Sequence, residues 1–197
     1  MKCLTMLLTL WLAALCLCPA RAAAQGAAGD AQAQRKVKDD ALVVSSYDRA
    51  ADWTTHALKA YLLVYPNMPV RSRYDTRLMM SAVCAHAGQG AGRPERVNLL
   101  FVYRARDWLY SARADARNVR AVVDGTPQIL GALAVVRRDV LSGRIEERAV
   151  LTLTPEMFLL LARADRLKML VGPLEYELSD SALAALRELA QHTEPKK

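Results

Sequence analysis

From residue 41 onward the dominant pattern is alternation with a period of two, the repeat of a β-strand whose successive side chains point to opposite faces. Leu78, Met80, Ala82 and Cys84 fall on one side of one predicted strand. Val97, Leu99, Phe101 and Tyr103 fall on one side of the next, with Asn98, Leu100, Val102 and Arg104 on the other. Apolar residues on both sides suit a central strand covered on each face. Asp107 then marks a change of direction, and Trp108 with Tyr110 opens a further predicted strand. Val119, Ala121 and Val123 lead to Asp124-Gly125, a tight-turn pair because both positions tolerate positive φ. Pro127 disfavours pairing straight after the turn and predicts a longer connection. Leu133, Val135 and Arg137 continue the alternation to a turn at Ser142-Gly143. Ala149, Leu151 and Leu153 alternate against Arg148, Val150 and Thr152 in the returning strand. Leu174, Tyr176 and Leu178 alternate with Glu175 and Glu177, which predicts a half-exposed strand.

Two segments switch to helical signals. Thr154-Pro155-Glu156 supplies a hydroxyl that accepts from open backbone amides and a proline suited to the first helical position. Met157 to Leu161 are apolar around most of the turn, so this helix is expected to be buried. Ser179 or Asp180 caps a second helix, with Leu183, Leu186, Leu189 and Ala190 as a stripe and Arg187 and Glu188 outside it. The expected fold is therefore β-rich α+β: an antiparallel β-sandwich-like domain with one interposed helix and a C-terminal amphipathic helix.

Residues 1–24 break the period. Lys2 precedes an apolar run over residues 3–18, Pro19 ends it, and Ala22, Ala23 and Ala24 offer the small residues that signal peptidase reads. The run is shorter than the roughly 18 to 20 residues of a membrane span. A cleaved Sec-type signal is expected, giving a periplasmic or secreted protein that is not transmembrane after cleavage. Leu15 and Leu17 stand before Cys16 and Cys18, where lipoprotein processing wants a small residue, so a lipid anchor does not fit. Residues 25–40, rich in Ala, Gln and Gly, read as a flexible linker. Residues 41–192 are expected to form one globular domain, and residues 193–197 a frayed tail.

Charge and cysteine usage follow from that cut. The chain carries 27 Lys and Arg against 20 Asp and Glu. Only Lys2 and Arg21 leave with the signal, so the exported domain stays basic. Export removes it from the nucleoid, so acidic envelope material is the expected anionic neighbour and no nucleic acid is expected. Of the 4 cysteines only Cys84 lies beyond the signal, so no intramolecular disulfide is expected and the fold must rest on its apolar core.

The order Asp107-Trp108-Leu109-Tyr110, Val122-Val123-Asp124-Gly125, Leu153-Thr154-Pro155-Glu156 and Tyr176-Glu177-Leu178 resembles small exported bacterial proteins of unknown function, in which a signal peptide precedes a β-rich domain. Tyr47-Asp48-Arg49 and Asp52-Trp53-Thr54-Thr55 are similar to that group's opening. The resemblance spans residues 47–189 and implies no activity and no catalytic set.

The chemistry-bearing residues each have a functional and a structural reading. Trp108 and Tyr110 would make a stacking platform for a sugar or base, with Arg104, Arg106 and Arg113 gripping phosphate or carboxylate. The plainer reading makes the aromatics core and the arginines rim, their stems lying along apolar surface. His56 and His86 lie in predicted strands and meet if those strands are neighbours; a metal would need a third ligand such as Asp48, Asp52 or Cys84. His192 falls near the fraying end. Cys84, in a run of small and apolar residues, reads as a buried hydrophobe rather than a nucleophile. Glu146-Glu147 are strand neighbours pointing to opposite faces, not an acid/base pair. The glycines at 88, 90 and 92 lack the lysine and hydroxyl of a phosphate loop and read as a connection between strands.

These readings favour a non-enzymatic exported domain that needs no cofactor and binds an envelope protein or an anionic polysaccharide or lipid. The alternative is an exported hydrolase or metal-dependent enzyme built on His56, His86 and Cys84. A basic-aromatic face would favour the anionic ligand, and an open strand edge the protein partner.

Overall fold

Val97, Leu99, Phe101 and Tyr103 are all buried, and they form the inner row of a strand near the middle of the larger of two antiparallel sheets. The computed structural model describes residues 41–65, 77–89, 92–141 and 143–194, all within one compact unit that begins at Ala41. The expected signal and linker lie outside the described residues, as do Gly90, Ala91, Ser142 and the last three residues of the expected tail. In chain order the strands are β1 (Val43–Asp48), β2 (Trp53–Leu58), β3 (Leu62–Tyr65), β4 (Arg77–Ala87), β5 (Val97–Ala105), β6 (Asn118–Val123), β7 (Thr126–Ala132), β8 (Ala134–Leu141) and β9 (Arg144–Leu153). Helix α1 (Pro155–Ala162), β10 (Leu167–Val171), β11 (Leu174–Glu177) and α2 (Asp180–Ala190) complete the order.

The larger sheet runs β1-β2-β4-β5-β9-β8, with β3 also on β4; the smaller runs β11-β10-β6-β7. Leu78, Met80 and Ala82 of β4 and Ala149, Leu151 and Leu153 of β9 flank the β5 row on the inner face. Val119, Ala121 and Val123 with Leu167, Met169 and Val171 line the inner face of the smaller sheet, in the same core cluster. Each fully buried aliphatic or aromatic side chain in this cluster contributes about 1.5–3 kcal/mol. The fold is thus β-rich α+β with two antiparallel sheets, an interposed helix and a second helix, sandwich-like as the alternation predicts.

Both helices start as their sequences predict. Thr154 Oγ1 accepts from the Met157 amide at 3.2 Å, with Pro155 in the first turn. Ser179, not Asp180, is the second cap, accepting from the Ala182 amide at 3.3 Å. Phe158 and Leu161 of α1 are buried, but Leu160 is exposed, because α1 packs on α2 and leaves one side to solvent. The apolar stripe of α2 is buried, and this helix also lies on β1, β2 and β4.

Three expectations are corrected. Residues 106–114 are not a strand but a loop, closed by a single 3-10 turn before β6. Pro127 does not lengthen the hairpin: β6 and β7 pair directly around Asp124-Gly125, with Val123 opposite Thr126. Asp124 and Gly125 have φ of 49° and 86°, and Pro127 is accommodated because β7 is an edge strand. The chain also stays ordered into the expected tail, since Thr193 is fully buried and its hydroxyl donates to the Ala190 carbonyl at 2.8 Å.

Candidate functional site

The basic-aromatic residues do not assemble into one binding face. Glu147 explains why. It continues the inner row of β9 with Ile145, Ala149 and Leu151, so its carboxylate is carried into the core. There Oε2 accepts from the Leu109 and Tyr110 amides at 2.7 and 3.0 Å, and Oε1 from the Ser111 amide at 2.7 Å and from its hydroxyl. Three successive amides that a strand would offer to a neighbouring ladder are turned onto one anion instead. Arg117 donates from Nε to the Tyr110 carbonyl at 2.6 Å and fixes the other side of that peptide.

Tyr110 is consequently in the core, its ring edge-on to Tyr103 with centroids 5.5 Å apart. Burial raises its phenol well above the ordinary tyrosine value, with Tyr103 and Glu147 adding to the effect. It cannot stack a ligand from solvent. Trp108 is partly exposed, and Arg106 is exposed in the same loop. Arg113 is paired with Asp115 at 2.6 Å. Arg104 lies opposite Glu146 and bonds it at 2.5 Å, while Arg148 reaches the same carboxylate at 2.7 Å. Burial alone would raise the Glu146 carboxyl, but Arg148 and Arg104 together hold it below the usual range. Of the five residues suggested as a ligand platform, one is core and two spend their charge on acids of this chain.

The histidines do come together. The β2–β4 register sets Thr54 opposite His86 and His56 opposite Cys84, so both imidazoles share the inner face of the larger sheet. Their Nε2 atoms are 3.4 Å apart and the rings are tilted by 35°. His56 Nδ1 is 2.7 Å from Ser45 Oγ, and His86 Nδ1 is 3.0 Å from the Ala87 carbonyl oxygen. His192, just past α2, stacks on His56 with centroids 4.1 Å apart and planes 21° apart. All three histidines of the chain thus meet where the end of α2 covers β2. Gly92 is required here, since a Cβ on it would stand 2.1 Å from His86 Nδ1.

Cys84 is a free, buried thiol, and burial pushes it up to about 12, which removes it as a nucleophile near neutral pH. The other suggested ligands are turned away. Asp48 caps the β1–β2 turn by accepting from the Ala50 amide, and Asp52 accepts from the Tyr47 hydroxyl at 2.7 Å. Among the described residues no three or more His, Cys, Asp or Glu side chains are grouped as a ready metal cage.

The outer strands carry what the alternation did not single out. Among the described residues, the three most exposed large apolar side chains are Ile129 at 83%, Val140 at 67% and Val136 at 55%. Ile129 lies on β7, the edge of the smaller sheet, and the valines on β8, the edge of the larger. The chain crosses between the two edges at Leu133, which is buried and donates its amide to the Arg117 carbonyl at 2.8 Å. A register shift between Val135 and Arg137 marks a bulge in β8. An apolar residue on a terminal strand can be seen in the sequence; that the strand is terminal cannot.

Among the described residues no helix is long and apolar enough to cross a membrane. No protein-family model, no curated protein and no solved structure matches the chain.

Proposed function

We propose that this is an exported, non-enzymatic domain that binds a protein partner along the β7–β8 edge. The observation that carries the reading is the exposure of Ile129, Val136 and Val140 on two adjoining sheet edges. Exposed apolar side chains on a terminal strand are ordinarily a liability that charge, proline or a bulge keeps in check. Here Pro127 offers no amide to a strand added on β7, and the β8 bulge with Arg137 and Asp139, paired at 2.7 Å, restricts which strand can add. A partner strand with apolar residues at alternate positions would cover the valines and complete the open ladder. The anionic-ligand reading is the weaker one, since Arg104 and Arg113 are neutralised by Glu146 and Asp115.

Site-specific photocrosslinkers at Val136, Val140 and, as a control on α1, Leu160 test the proposal in the native cell. A single protein adduct from both β8 positions, absent from Leu160 and lost when Ile129 is changed to Asp, supports the edge. Equal labelling from all three positions sinks it. Fractionation of the same cells, with N-terminal sequencing of the mature chain, tests the export step; a first residue of Gln25 is expected.

A further inference from the structure

We propose that the segment docking on β8 carries an acidic side chain opposite Arg138, two residues away from an apolar one opposite Val140; this rests on the β7–β8 edge being the docking site. The argument starts from where the charges of β8 are already spent. Arg137 stands opposite Arg148 and Asp139 opposite Glu146, on the outer face of the larger sheet, and the two pair with each other at 2.7 Å. Arg138 faces the other way. It stands opposite Glu147, and Val140 opposite Ile145, and residues directly opposite in an antiparallel ladder share a face.

Glu147 would be the natural partner of Arg138, yet its carboxylate is fully buried and taken up by the Leu109, Tyr110 and Ser111 amides. Arg138 is exposed and has neither an ion pair nor a hydrogen bond among the described residues. The strand thus presents one uncompensated positive charge two residues from a valine that is 67% exposed. It does so at the end of its sheet, where the ladder is open.

Cross-strand neighbours decide which chain an open edge accepts. A carboxylate opposite Arg138 pairs with it, and an apolar residue two places along covers Val140. The Arg137–Asp139 pair is closed on the other face, so uncharged residues suit the intervening positions. The register shift between Val135 and Arg137 disrupts the ladder there, so the matched stretch runs from Arg137 to Val140. A second copy of this chain is disfavoured. Two β8 strands related by a two-fold axis at residue 137, 138 or 139 set Arg137, Arg138 or Asp139 against its own image, a like-charge pair.

The first test is fluorescence anisotropy with the purified full chain and two labelled peptides. One has a valine, threonine, glutamate, threonine, valine centre, which reads the same in both strand directions; the other has lysine in place of the glutamate. The glutamate peptide is expected to bind about fivefold more tightly, and Arg138→Glu to reverse the order. Arg49→Glu, the same charge change at an exposed position in the β1–β2 turn of the opposite edge, should leave the order unchanged. Equal binding of the two peptides, lost in Val140→Asp, overturns the acidic partner and leaves the edge in place. Binding by neither peptide overturns the stated pattern. The second test identifies by mass spectrometry the segment crosslinked from Val140 in the cell. An acidic residue two places from an apolar one, in an adduct lost in Arg138→Glu and kept in Arg49→Glu, supports the proposal. A segment without an acidic residue, an adduct undiminished by Arg138→Glu, or an adduct to a second copy of this chain overturns it. Equal labelling from Val136, Val140 and Leu160 removes the edge itself, and the acidic partner with it.

Discussion

Glu147 holds the Tyr110 amide at 3.0 Å from a carboxylate that lies wholly in the core, and this contact turns the chain out of the sheet between β5 and β6. The same carboxylate takes the amides of Leu109 and Ser111. Glutamine at 147 would keep one accepting oxygen but turn an NH₂ group toward donors. Glu147→Gln is therefore expected to lower stability by about 3 kcal/mol, because a buried donor left without its acceptor loses solvation it does not recover. Ser111→Ala removes one hydroxyl contact and is expected to cost about 1 kcal/mol. Urea unfolding of the three proteins checks the order. Equal stability of Glu147→Gln and the parent would mean that the carboxylate does not hold the loop.

Glu146 behaves differently because its partners are arginines. Burial would raise its carboxyl, yet Arg148 and Arg104 hold it below the ordinary value of 4.5. A carboxyl whose folded value is depressed contributes stability that is complete above its unfolded value. That contribution is lost as pH falls through the folded one. Stability is thus expected to decline below about pH 4.5 and less steeply in Glu146→Gln. Part of the slope should persist in the variant, since Asp115, Glu156 and Glu177 are lowered in the same direction by their own contacts. Those three are at the surface, where solvent screens the effect. Chemical denaturation from pH 7 down to pH 3 checks this. An unchanged slope in Glu146→Gln would count against the arginine pair as its cause.

The same two glutamates mark where the sequence was legible and where it was not. The odd-numbered row of β9 reads Ile145, Glu147, Ala149, Leu151, Leu153, so period two alone places Glu147 on the core face. The signal was present, but a charged pair on a strand is ordinarily read as solvent-facing. Residues 106–114 read as a strand for a related reason, although Tyr110 is core as the plainer reading has it. Alternation describes side chains, whereas the loop is decided by where three amides find an acceptor, and that acceptor lies 36 to 38 residues away. The histidines show the same limit. His56 and His86 meet because β2 and β4 are neighbours, as the alternation allowed, but His192 reaches them only through the packing of α2. Local devices were easier to read: both helix caps and the Asp124-Gly125 turn act within a few residues of themselves.

Tyr110 and Tyr176 each bury a hydroxyl without a hydrogen-bond partner among the described residues. Burial raises both phenols, and Tyr110 adds to the effect at Tyr176. A buried hydroxyl with no partner is a penalty of about 1–3 kcal/mol that phenylalanine does not carry. Tyr176→Phe and Tyr110→Phe are expected to be neutral or to raise the unfolding midpoint. A clear loss of stability in both would instead point to an ordered water joining the two hydroxyls.

Cys84 tests the integrity of the face that holds the histidines. It stands opposite His56 in the β2–β4 register and is buried, with its thiol pushed up to about 12 by that burial alone. Thiolate is the reactive form, so at pH 7 the native protein should react with a disulfide reagent far more slowly than the urea-unfolded chain, whose thiol returns to about 8.5. The rate in native buffer should then report the opening of α2 from β2 and β4 rather than the chemistry of the thiol. His192→Ala removes the ring stacked on His56 and is expected to speed labelling, whereas Val140→Asp, on the far edge of the same sheet, should leave it unchanged. Equal acceleration by both variants would mean that Cys84 is exposed by global unfolding and that the α2 end is not a separate point of entry.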